Sequence, residues 1–145
     1  MNKDFEKCLK KKSIVKQPYT EALIDDELEA ARRDLKRAKR TYDEFLEDLD
    51  YKWATIQAYY SMFHAARALL FKKGYREKSH YCLKVTLQAL FADEGIMDQR
   101  LVDDFDTAML LRETADYKSD MATWSGTFRA GRQNGPTHRG RYIRL

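Results

Sequence analysis

Apolar residues recur at steps of three and four along most of the chain, and this spacing predicts helices. From Glu21 to Asp50 the positions Leu28, Ala31, Leu35, Ala38, Tyr42, Phe45 and Leu49 form an unbroken heptad-like seam, the pattern of a helix packed against a near-parallel or antiparallel neighbour. Its other face carries Arg32, Arg33, Lys36, Arg37, Lys39 and Arg40, which reads as a solvated face or, alternatively, as a nucleic-acid contact. A second helix runs from Trp53 towards Gly74 and carries two adjacent stripes. Trp53, Ile56, Tyr60, Phe63, Arg67 and Leu70 make one; Tyr59, Met62, Ala66 and Leu69 make the other. Two stripes describe a helix covered on most of its circumference, so this segment is expected at the centre of the fold. Lys72, Lys73 and Gly74 supply its stop signal.

Ser79 is placed to cap a third helix with Leu83, Leu87 and Leu90 on its apolar edge and Cys82, Val85 and Phe91 beside them. That helix is expected to stop near Asp93-Glu94-Gly95. Asp98 then caps a fourth, whose stripe is Leu101, Phe105, Ala108 and Arg112, flanked by Val102, Met109 and Leu111. Residues 2–12 predict a short lysine-rich helix with Phe5, Cys8 and Leu9 as a narrow apolar edge. Gln17-Pro18-Tyr19-Thr20 breaks the chain, and Thr20 can cap the helix that follows. The connections are short, which makes successive helices antiparallel neighbours. Without sustained strand-type alternation, the fold class is all-α: an antiparallel up-and-down bundle of four to five helices.

Composition changes this picture only at the C-terminal end. Residues 119–145 hold four of the six glycines and no lysine, and helical periodicity disappears there. Their five arginines against the single acid Asp120 account for the whole net charge of +4, which leaves residues 1–118 neutral overall. The expected organisation is a helical bundle over 1–118 and a basic, Gly/Arg-rich tail over 119–145 that is disordered or loosely attached. A neutral body argues against indiscriminate nucleic-acid binding by charge alone. No run approaches a membrane span, and no apolar segment follows the N-terminal charges, so no membrane association or signal peptide is expected. Cys8 and Cys82 have no paired spacing and read as reduced thiols of a cytoplasmic protein, with no structural zinc.

Three polar groups stand out. His64 sits within an apolar helix and reads as a core or interface residue; Arg67 and Ala68 occupy the positions a helical metal pair would need. Arg76, Ser79 and His80 lie at a loop-to-helix junction. They read either as a cap with solvated neighbours or as a phosphate site built on helix-terminal amides. Arg112 continues a buried stripe, where a cation needs a partner or a wet cleft. Asp116, four residues on, can pair with it, and Tyr117 follows. A structural Arg–Asp pair and a functional site are both open.

The run Ala58-Tyr59-Tyr60-Ser61-Met62-Phe63-His64-Ala65-Ala66-Arg67-Ala68-Leu69-Leu70, then Gly74, Lys78-Ser79-His80, Arg112 and Ala115-Asp116-Tyr117, resembles the HEPN domain (higher eukaryotes and prokaryotes nucleotide-binding). The resemblance covers roughly residues 20–118. It implies a helical bundle that commonly dimerises, often beside a minimal nucleotidyltransferase in a toxin–antitoxin-like or nucleotide- or RNA-handling module. No cofactor and no metal are expected. Together with the junction read above, the candidate nucleotide- or RNA-binding residues are Arg76, Ser79, His80, Arg112, Asp116 and Tyr117. Many HEPN proteins are metal-independent RNases with an arginine followed by four to six residues and a histidine. Here Arg112 is followed at that spacing by Tyr117, Lys118 and Ser119, and a phenol with a pKa near 10 is a poor base at neutral pH. The resemblance therefore implies a member without an intact RNase motif. The alternatives are an RNase toxin using Arg112 with Tyr117 or His80, and a structural dimerisation module.

Overall fold

A computed structural model describes residues 2–44 and 51–117. The elements are α1 (Lys3–Lys10), β1 (Ile14–Lys16), α2 (Glu21–Glu44), α3 (Tyr51–Lys72), β2 (Tyr75–Glu77), α4 (His80–Leu87), a π-helical segment (Gln88–Ala92) and α5 (Gln99–Tyr117). The fold is helical, as the periodicity predicts. Phe45, Leu49, the break near 48–51 up to Tyr51, and the tail 119–145 lie outside the described residues.

The caps fall where the short polar residues are. Thr20 Oγ1 accepts from Leu23 N at 3.2 Å, Ser79 Oγ from Cys82 N at 3.4 Å, and Asp98 Oδ1 from Arg100 N at 2.9 Å. Each satisfies a backbone donor that the first helical turn leaves orphaned. Helices α2 and α3 lie side by side along the seam: Ser61 Oγ donates to Ala31 O at 2.8 Å, and Thr41 Oγ1 donates to Gln57 Oε1 at 2.7 Å. Ala31 and Ala38 are buried; small residues at the contact let the two backbones come close enough for these bonds. Helix α3 is the central element, with Tyr59, Met62, Phe63, Ala66 and Leu70 all in the main core.

Two features depart from the sequence reading. Ile14–Lys16 and Tyr75–Glu77 pair as a short antiparallel ribbon in the register Ile14↔Glu77, Val15↔Arg76, Lys16↔Tyr75. It is extended by Gln17 N–H donating to Gly74 O at 2.9 Å and Lys78 N–H donating to Ser13 O at 2.8 Å. Three-residue strands are too short for alternation to announce them. The expectation of reduced thiols is also corrected: Cys8 and Cys82 form a disulfide, with Cα atoms 5.9 Å apart. The two cysteines are 74 residues apart in sequence. They meet because α1 and α4 bury Phe5, Cys8 and Leu83 in one cluster.

Two apolar positions are less buried than their stripes predict. Trp53 is 55% exposed and Leu101 44%, while neighbouring Val102 is 4% exposed and takes the core position in α5. Gly74 closes α3 at φ +79°, and a Cβ there would meet only Gln17 O at 4.0 Å, an ordinary contact. Gly74→Ala therefore carries only the backbone cost of a left-handed residue. We expect a loss of about 1 kcal/mol in denaturant titrations, with the fold unchanged. Among the described residues, no helix is long and apolar enough to cross a membrane.

Candidate functional site

Three elements converge on the phenol of Tyr59. Tyr59 itself is fully buried on α3. His80, the first residue of α4, packs its ring parallel to Tyr59 at 5.7 Å between centroids and to Phe63 at 4.9 Å. Arg112 of α5 lays its guanidinium over the Tyr59 ring at 5.0 Å. The N-cap at Ser79 fixes where α4 begins, and the β1–β2 ribbon fixes the strand leading into it, so His80 is set by backbone on one side and by stacked rings on the other.

The hydrogen bonding assigns protons. Tyr59 Oη and His80 Nδ1 are bonded. Burial pushes the Tyr59 phenol well above its ordinary value, so it keeps its proton and needs an acceptor. Nδ1 is that acceptor, and neutral His80 then carries its proton on Nε2. His80 is held below the usual imidazole value by burial first and the Arg112 charge second, partly offset by Glu77. The sign follows: the folded state favours neutral imidazole. Its contribution to stability is complete above the unfolded value of about 6.5 and is lost as pH falls through the lower folded value.

Arg112 Nη1 donates to Asp116 Oδ2 at 2.9 Å, and Arg112 Nε is buried without a partner among the described residues. The i,i+4 pair expected from the sequence is therefore present and accounts for part of the guanidinium. Arg112, on α5, acts electrostatically on His80, on α4, although 31 residues separate them.

A family model for the HEPN domain matches residues 24–128. The chain belongs to the HEPN family. A relative from Methanocaldococcus jannaschii, "Putative toxin MJ0605", is 31% identical over 96 residues, covering 66% of this chain and 69% of that protein. In this HEPN bundle the structure brings together His80, Arg112 and Asp116 from the residues singled out in the sequence. Ser79 serves as the helix cap. Arg76 is exposed on β2, on the opposite strand face from buried Glu77, and does not join the cluster. Tyr117 ends α5, and its side chain lies outside the described residues.

Sequence reasoning missed Tyr59, Phe63, Arg67 and Glu77. Arg67 Nε donates to Glu77 Oε1 at 2.8 Å, its Nη2 donates to the same oxygen, and Nη1 reaches Glu27 Oε1 at 3.4 Å. Burial works to lower the Arg67 pKa, but the hydrogen bond and charge of Glu77, then those of Glu27, outweigh it and the net shift is upward. His64 bonds Glu27 Oε2 at 2.6 Å through Nδ1, a partnered interface histidine between α2 and α3. The missed signal was Arg67 within an apolar stripe, the same signal that singled out Arg112. Among the described residues, no group of three or more His, Cys, Asp or Glu side chains could hold a metal ion. Chemically, the cluster offers a fixed cation and an imidazole N–H: groups that bind an anion rather than a free base that abstracts a proton.

Proposed function

We propose that this chain is a toxin-class HEPN protein that binds a nucleotide or RNA through Arg112 and His80. In this reading it acts with a minimal nucleotidyltransferase, as a homodimer, without an intact Arg-x4-6-His RNase motif. The observation that carries the reading is the Tyr59–His80 hydrogen bond beside Arg112. It occupies Nδ1 and leaves Nε2–H as a donor, while Arg112 lies over the same Tyr59 ring. Such a pair suits a phosphate oxygen, and a charge-assisted bond of this kind contributes about 1.5–3 kcal/mol. The name of the Methanocaldococcus relative supports the toxin class. Asp116 orients Arg112, and Ser79 presents the first amides of α4.

A second reading is favoured by one arrangement, Arg112 over the same Tyr59 ring on which His80 stacks: metal-independent RNA cleavage by these two residues. One experiment separates the readings. Purified protein is titrated with adenosine monophosphate and with a short labelled oligoribonucleotide in the presence of a chelator, and the RNA is then examined for cleavage. The expected result is binding without cleavage, weakened about tenfold or more in Arg112→Ala and His80→Ala. Cleavage that His80→Ala abolishes would establish the second reading. Binding unchanged in both variants would remove the site. If an adjacent reading frame encodes a minimal nucleotidyltransferase, co-expression with it followed by mass measurement in solution tests the partner and the dimer.

A further inference from the structure

Glu77 is 5% exposed, a buried carboxylate at the end of a three-residue strand. Such a group is costly to desolvate and persists where its charge is compensated. One oxygen, Oε1, receives both Nε and Nη2 of Arg67. The other, Oε2, is buried without a partner among the described residues. The fork that holds Glu77 also lies over Phe63, with the guanidinium 4.5 Å from the ring centroid. Phe63 in turn stacks on His80 at 4.9 Å and 24°. Glu77 and His80 are three residues apart, and the backbone between them is tied down by Lys78 N–H on Ser13 O and by the Ser79 cap.

We propose that Glu77 is a positioning residue: through Arg67 and Phe63 it fixes the plane of the His80 imidazole, and its charge balances the cations around that ring. The proposal rests on the reading of His80 as a ligand-binding group and adds a residue that does not itself touch the ligand. The rings packed on His80 are those of Tyr59 and Phe63 from α3, and the charges acting on it are Arg67 from α3, Glu77 from β2, and Arg112 and Glu113 from α5. Of these, Glu77 is the leading influence that favours the protonated ring, ahead of Glu113. Orientation and charge give opposite expectations for an anionic ligand. If Glu77 were only a nearby negative charge, its neutralisation would tighten anion binding. If it holds the ring in place, neutralisation releases the Arg67 fork and binding weakens in spite of the more positive field.

The test is Glu77→Gln, which keeps the shape and removes the charge. The first readout is the titration midpoint of the His80 imidazole, followed by NMR in the ligand-free protein. The second is affinity for the short oligoribonucleotide. We expect the midpoint to move down and affinity to fall roughly tenfold. An unmoved midpoint, or affinity that is unchanged or increased, overturns the proposal. Because the titration needs no ligand, it judges the Glu77–His80 link even if His80→Ala shows that His80 binds nothing. If Glu77→Gln does not fold, Arg67→Lys replaces it. Lysine keeps the charge opposite Glu77 but loses the planar fork. The same loss of affinity is then expected, and wild-type affinity overturns the proposal.

Discussion

Arg67→Ala is expected to destabilise the protein by about 3 kcal/mol, the low end of the range for breaking a buried ion pair. The side chain of Glu77 is 3% exposed and that of Arg67 22%. Removing the guanidinium leaves a carboxylate in the core with no hydrogen-bond partner on either oxygen. The loss exceeds what the pair itself contributes, because it includes the uncompensated desolvation of Glu77. The remaining water access of Arg67 places the effect at the lower end of the range. Chemical denaturation measures it. The control is Arg40→Ala: Arg40 and Glu44 are as close, at 2.7 Å, but 77% and 51% exposed, and that variant should unfold at the wild-type denaturant midpoint. A second control is Arg67→Met combined with Glu77→Gln, which removes the buried charge together with its partner and should recover part of the loss. If Arg67→Ala is no worse than Arg40→Ala, the buried pair is not compensating Glu77.

Reducing the Cys8–Cys82 disulfide lowers stability by about 2–4 kcal/mol. The bond joins residues 74 apart, and a loop of that length restricts the unfolded chain substantially, which raises the free energy of the unfolded state relative to the native one. Both cysteines are buried beside Phe5 and Leu83, so the reduced side chains remain packed as small apolar groups. Helix α1 is otherwise held by its apolar edge of Phe5 and Leu9, by the edge-to-face contact of Phe5 with Tyr75 at 5.8 Å, and by the Asn2 cap with an Asn2–Asp93 hydrogen bond at 3.1 Å. The expected result is a lower unfolding midpoint under a reducing agent, matched by Cys8→Ser without one. Equal midpoints for the oxidised and reduced protein would contradict it. Cys82 is two residues beyond His80, so the same loosening would also reach the turn that presents the imidazole.

The helices and their caps were legible in the sequence because both are local. A 3.6-residue period needs only neighbours along the chain, and Thr20, Ser79 and Asp98 cap amides two or three residues away. The Arg112–Asp116 bond was legible for the same reason, since four residues make one turn. In α5 the stripe was read correctly at Phe105 and Ala108 but not at its first position, where Val102 rather than Leu101 is buried, because two apolar residues in succession satisfy the period equally well.

The central segment from Trp53 to Gly74 was recognised from its two stripes, but its chemistry was not. Tyr59 and Arg67 looked like scaffold because each is one more position on an apolar helix. Only packing shows that Tyr59 receives His80 on one element and Arg112 on another, and that Arg67 reaches Glu77. The sequence by itself determined the helical bundle, its caps and its family signature, all consequences of short-range periodicity and residue type. Tertiary structure alone decided the β1–β2 ribbon, the disulfide, the neutral His80 beside Arg112 and the buried charge of Glu77. Each of these joins residues distant along the chain, and their energies depend on burial and on which groups meet, which no local spacing encodes.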